Sequence, residues 1–137
     1  STVGDVLAGS ISSDSMIGSD ANDLLIGSIA KAEGAQVDVL TGKGGSDVFV
    51  LGNEEQSFYA AQGMNDYAHI VDFDPTQDQL QLNGDSSYFT AVVEHPDVTG
   101  TGIFRSADGK TAGDELIAVL SNDNKSVEIN RDDFKLV

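Results

Sequence analysis

The chain has 137 residues, with 23 acidic against 7 basic and a formal net charge of −16. That length suits one domain with a real core, and so acidic a surface makes nucleic acid and anionic membranes poor partners. There is no cysteine to build a disulfide frame, and no apolar stretch of about 18 residues such as a membrane-spanning helix needs. No signal peptide is visible at the N-terminus.

The first 52 residues carry a repeat. Asp5, Asp14, Asp23, Asp38 and Asp47 recur at spacings of 9, 9, 15 and 9 residues. Each is followed two places later by an apolar residue: Leu7, Met16, Leu25, Leu40 and Phe49. Glycines stand ahead of the aspartates at Gly9, Gly18, Gly27, Gly42, Gly44 and Gly45, and the best-kept row is 42–50, Gly-Lys-Gly-Gly-Ser-Asp-Val-Phe-Val. This pattern resembles the nonapeptide Gly-Gly-x-Gly-x-Asp-x-(apolar)-x of RTX, haemolysin-type calcium-binding proteins. The resemblance implies an all-β fold, a parallel β-roll (RTX solenoid), with Ca²⁺ held between its turns.

The chemistry behind the pattern follows from residue types. Glycine lets the backbone turn tightly, so that main-chain carbonyls converge, and aspartate adds hard anionic oxygen to that point. Ca²⁺ takes six to eight oxygens at roughly 2.3–2.6 Å from such donors. The three residues after each aspartate read as a short strand whose middle side chain points inward, so two rows make one coil. Aspartates two rows apart then share an edge: Asp5, Asp23 and Asp47 on one, Asp14 and Asp38 on the other. The 15-residue gap is one repeat plus six residues, placed as a loop insertion within 28–33. The candidate sites pair Asp5 with Asp23, Asp14 with Asp38, and Asp23 with Asp47, about three ions in all. The pair Asp23 and Asp47 is expected to be the best formed, because Ser10, Ser12, Ser19 and Ala21 stand where the pattern prefers glycine. The alternative is a degenerate solenoid whose aspartates only shape turns.

Beyond Leu51 the period stops. Residues 66–82 read as strand, Asp-Pro turn, strand, with Ala68, Ile70, Val71 and Phe73 before the turn and Leu80 and Leu82 after it. The segment resembles the one that follows the repeats in haemolysin-type proteins. Asp66, Asp72 and Asp78, with Asp74 next, are secondary ligand candidates or ordinary turn and strand-edge residues. The rest is short β-segments at 88–93, 102–105, 115–120, 126–129 and 134–137, similar to the C-terminal regions of cyanobacterial members of the family. Residues 53–137 are thus expected to form a C-terminal cap of antiparallel β-segments on the roll, within one structural domain.

The outer face of rows one, three and five is apolar: Val6 and Ala8, Leu24 and Ile26, Val48 and Val50. Burying one Val or Leu stabilises by roughly 1.5–3 kcal/mol, and an uncovered strip would be a sticky patch. The cap is therefore expected to pack across that sheet. The tail, Asp132 and Asp133 before Phe134, Leu136 and Val137, is similar to the uncleaved signals of type I ABC export systems, which points to a secreted, extracellular or cell-surface module that folds on meeting calcium. Opening at Ser1, partway through a repeat, reads as a fragment or processed piece of something longer, to which an upstream domain could be covalently attached. A catalytic role is not expected: His69 and His95 lack the context of a triad, and the best carboxylates belong to turns. The alternatives are a calcium-rigidified adhesin or surface-layer module, and calcium-triggered self-processing at Asp74-Pro75.

Overall fold

The computed structural model describes residues 4, 6–9, 13–27, 37–52, 67–84, 87–95, 98–106, 115–122, 125–129 and 134–137. Among these residues the chain is all-β, without a helix, and no helix is long and apolar enough to cross a membrane. The strands of the repeat region are β1 (Val6–Ala8), β2 (Ser15–Ile17), β3 (Leu24–Ile26), β4 (Val37–Thr41) and β5 (Val48–Val50). They are followed by β6 (Tyr67–Ile70), β7 (Gln79–Leu82), β8 (Ser87–His95), β9 (Val98–Ser106), β10 (Glu115–Asn122), β11 (Lys125–Ser126) and β12 (Phe134–Leu136).

From β1 to β7 successive strands alternate between two open sheets. The first sheet has the order β1-β3-β5-β7-β12, all parallel. The second runs β2-β4-β6-β10-β9-β8, parallel from β2 to β10 and antiparallel from β10 to β8. The register is that of the repeat: Val6 pairs with Leu24, Ser15 with Val39 and Leu24 with Val48. The six extra residues of the third interval shift the pairing distance from 18 to 24 and leave every row facing its neighbour. The insertion at 28–33 itself lies outside the described residues.

Strand alternation sorts the side chains as the sequence implies. Leu25, Leu40 and Phe49 are fully buried and Met16 nearly so, and they join Ile70, Phe73, Leu80, Leu82, Ile103, Ile117 and Leu120 in the core between the sheets. Phe49 meets Phe73 with ring centroids 6.1 Å apart and planes tilted by 52°, the offset geometry aromatic pairs favour. In β10 a bulge between Leu116 and Ala118 puts both Ile117 and Ala118 on the core side. Leu116 and Val119 face the opposite way, into a second cluster with Val93 and Val98.

The later strands depart from the sequence reading. The cap is only partly antiparallel, because β10 pairs with β6 and β12 with β7 in parallel. Every described strand after β7 extends one of the two sheets or, as β11 does at the end of β10, pairs with one of its strands, rather than lying across the outer face of the first. On that face Val6 is 69% exposed, Leu24, Ile26 and Val48 are half-buried, and Val50 is buried. The physical reason is that β6 and β7 each presented an unpaired row of N–H and C=O groups, and in-plane pairing satisfies these as well as burying side chains. Strands β8 and β9 are longer than the segments read from sequence, and residues 127–129 are not a strand. There the Thr101 hydroxyl donates to the Val127 carbonyl (2.6 Å) and accepts the Val127 N–H (3.0 Å), so a side chain replaces the ladder.

Candidate metal centre

Three loops stack along one side of the two sheets: 18–23 between β2 and β3, 42–47 between β4 and β5, and 71–78 between β6 and β7. Side chains bind them to one another. The Asp23 N–H donates to the Asp47 carboxylate (2.8 Å), and the Asp47 N–H donates to that of Asp78 (2.9 Å). Ser46 N–H donates to Asn22 Oδ1 (2.7 Å) across the same step. On the opposite edge the Asp14 N–H donates to Asp38 Oδ1 (2.7 Å), and Val37 N–H to Ser13 Oγ (3.0 Å). Asp23, Asp38 and Asp47 are all buried.

The structure thus brings together two of the three expected pairs, Asp14 with Asp38 and Asp23 with Asp47. The third, Asp5 with Asp23, rests on Asp5, which lies outside the described residues, as does Asp66. Beside Asp38 the next strand offers Ala68 rather than a carboxylate, so on that edge the described column stops at Asp38. On the other edge it continues to Asp78, which sequence reasoning left as a secondary candidate. The signal was legible: Asp78 stands two residues before the inward Leu80, as Asp47 stands before Phe49.

The glycines mark where oxygen crowds the backbone. A Cβ on Gly9 would collide with the Gly27 carbonyl oxygen and lie 2.8 Å from Asp14 Oδ2. On Gly18 it would collide with Asp23 Oδ2 and lie 3.0 Å from the Gly42 carbonyl oxygen, and on Gly42 it would collide with Asp47 Oδ2. Each first-position glycine therefore carries beside it the carboxylate oxygen of the aspartate five residues on. At Gly9 and Gly18 the carbonyl oxygen of the next turn's glycine joins it. Gly45 takes a left-handed φ of 84°, with the Ala21 carbonyl oxygen 2.5 Å from where a Cβ would be. Gly44 has ordinary space, whereas Lys43, at the second consensus position, adopts a left-handed φ of 67°.

The remaining carboxylates have definite partners. Asp72 accepts the N–H groups of Gly42 (3.0 Å) and Lys43 (2.7 Å). Asp78 accepts a second N–H, from Asp74 (2.9 Å), and the Asp74 carboxylate takes the N–H (2.9 Å) and hydroxyl (2.6 Å) of Thr76, closing the Asp-Pro turn. Those Thr76 hydrogen bonds hold the Asp74 carboxyl below its ordinary value. Burial pushes the Asp47 carboxyl up from 3.8 to about 6, with Asp78, Asp23 and Asp72 adding like charge against the relief from the Asp23 N–H. Burial likewise raises Asp78 and lowers His69, whose Nε2 lies 3.1 Å from Ser121 Oγ on the second sheet.

Asp47 Oδ2 is buried and, among the described residues, has no hydrogen-bond partner. An anionic oxygen so placed costs free energy unless something cationic meets it. Among the described residues no three carboxylate or imidazole groups converge on one point, so an ion here would draw on one or two carboxylates and main-chain carbonyls. Such all-oxygen, partly neutral donor sets fit Ca²⁺. No model of a known protein family matches this chain, and a search of curated proteins finds no relative.

Proposed function

We propose that the chain is a calcium-binding module of the RTX, haemolysin type: a parallel β-roll with a β-rich cap, part of a secreted protein. It serves folding and stability rather than catalysis. The observation that carries this reading is the interturn aspartate contact repeated at Asp14–Asp38 and Asp23–Asp47, in register with a nine-residue sequence period. Beside the turn glycines lie carboxylate and carbonyl oxygens, the donors calcium prefers. Asp14, Asp23, Asp38 and Asp47 would hold the ions, and bound calcium would supply the positive charge that an acidic chain lacks.

Export as an unfolded chain through a type I ABC system, followed by folding in millimolar calcium, fits this arrangement. Weak extracellular sites of about 10⁻⁴–10⁻³ M suffice for it, because binding free energy then becomes folding free energy. The test is a calcium titration followed by circular dichroism. The expected outcome is a disordered chain in chelator that gains β-structure as calcium is added. A chain fully folded in excess chelator, indifferent to calcium, overturns the reading.

A further inference from the structure

Loops 18–23 and 42–47 are related by one step of the stack, and so are loops 42–47 and 71–78. In the first step Asp23 Oδ2, lying against Gly18, accepts the Ser19 N–H (2.6 Å) and faces the Ser19 hydroxyl. In the second, Asp47 Oδ2 lies in the equivalent place against Gly42. The equivalent donor is the N–H of Lys43, but it is turned toward Asp72 Oδ2. Asp72 occupies the position that Gly42 holds in the step before, in register through the β4 and β6 pairing. The second step therefore contains one carboxylate more than the first, and Asp47 Oδ2 lacks the N–H that Asp23 Oδ2 accepts. Asp47, 1% exposed, keeps a buried oxygen with no partner among the described residues.

We propose that a cation site lies between loops 42–47 and 71–78, with the carboxylates of Asp47 and Asp72 as its ligands. It would take a hard divalent ion, calcium on the functional reading above, on which this inference rests. The site is distinct from the pairs Asp14–Asp38 and Asp23–Asp47, because its second carboxylate comes from outside the glycine repeat. Asp72 retains lone pairs for an ion while accepting the Gly42 and Lys43 N–H groups, since a carboxylate has about four acceptor positions. Its consequence is mechanical: the ion ties the segment of β6 and β7 to the last repeat, so the cap orders only when the repeats are loaded.

The test uses the full chain, with calcium counted after equilibrium dialysis and hydrogen exchange followed over residues 71–78. Asp72→Asn removes the charge and keeps one of the two oxygens that accept the Gly42 and Lys43 N–H groups. The expected result is one ion fewer than in the unsubstituted chain, with loss of calcium-dependent protection at 71–78. Glu94→Gln, which removes an exposed carboxylate on β8 away from the aspartate loops, is expected to retain both the ion count and that protection. An Asp72→Asn chain with the full ion count overturns the site. So does an unsubstituted chain whose exchange at 71–78 is the same with and without calcium, a result that needs no variant to fold. An unsubstituted chain that binds no calcium defeats the functional reading itself, and the site with it.

Discussion

Asp47 concentrates the electrostatic cost of this fold. Its folded carboxyl titrates near 6 against an ordinary 3.8, so without metal the folded chain binds its proton more tightly than the unfolded chain. Stability from this group is fully present below about pH 3.8 and is lost as the pH rises through about 6. Burial at Asp78 acts in the same direction. In metal-free buffer the chain should therefore gain β-structure and melting temperature as the pH falls from 6 to 4, and Asp47→Asn should flatten that slope in a thermal scan. Gly45 gives a second residue-scale test. Alanine there meets the Ala21 carbonyl in a left-handed turn and should cost about 1–2 kcal/mol in denaturant unfolding at saturating calcium. Gly44→Ala, one residue away with ordinary space, should stay within about 0.5 kcal/mol.

At the scale of elements, the two sheets meet through the inward residues of the rows. Phe49 belongs to the row that the sequence ranks best, and it packs on Phe73 from the loop after β6. Phe49→Ala should destabilise by about 3–5 kcal/mol in chemical denaturation, and should loosen the packing of loop 71–78 as well as its own row. Strand β12 carries the tail that resembles an export signal, yet Phe134 and Leu136 pair with Leu80 and Leu82, and Val137 exchanges backbone bonds with Leu82 and Gly84. Removing residues 134–137 should therefore lower the unfolding free energy by about 2 kcal/mol through the half-buried Phe134, besides any effect on export. Refolding measured in calcium separates the two: a shortened chain that refolds with unchanged stability shows β12 to be dispensable to the fold.

For the molecule as a whole, a net charge of −16 opposes compaction in two ways. Repulsion across the surface is screened by salt over a Debye length of about 10 Å at 0.1 M, whereas the buried Asp47 oxygen is out of reach of diffuse counterions. Raising sodium chloride in chelator should therefore leave the β-sheet dichroism largely unrecovered, and millimolar calcium at low salt should restore it. Full recovery with salt alone would show that surface repulsion, not a coordinated ion, governs folding.

The nine-residue rows, the inward apolar residue of each, the interturn pairs Asp14–Asp38 and Asp23–Asp47, and the in-register accommodation of the six-residue insertion were all determined by sequence alone. These features are local: alternation within three residues and a glycine turn before an aspartate are written in a single row, and stacking only copies them. Tertiary structure decided that β10 and β12 extend the sheets in plane, leaving Val6 exposed, that Ala68 rather than a carboxylate follows Asp38, and that Asp72 takes the N–H that Asp47 would otherwise use. Those outcomes depend on which distant segment satisfies an open strand edge and on competition for one backbone donor. Neither competition leaves a period in the chain, so only the assembled fold reveals who wins it.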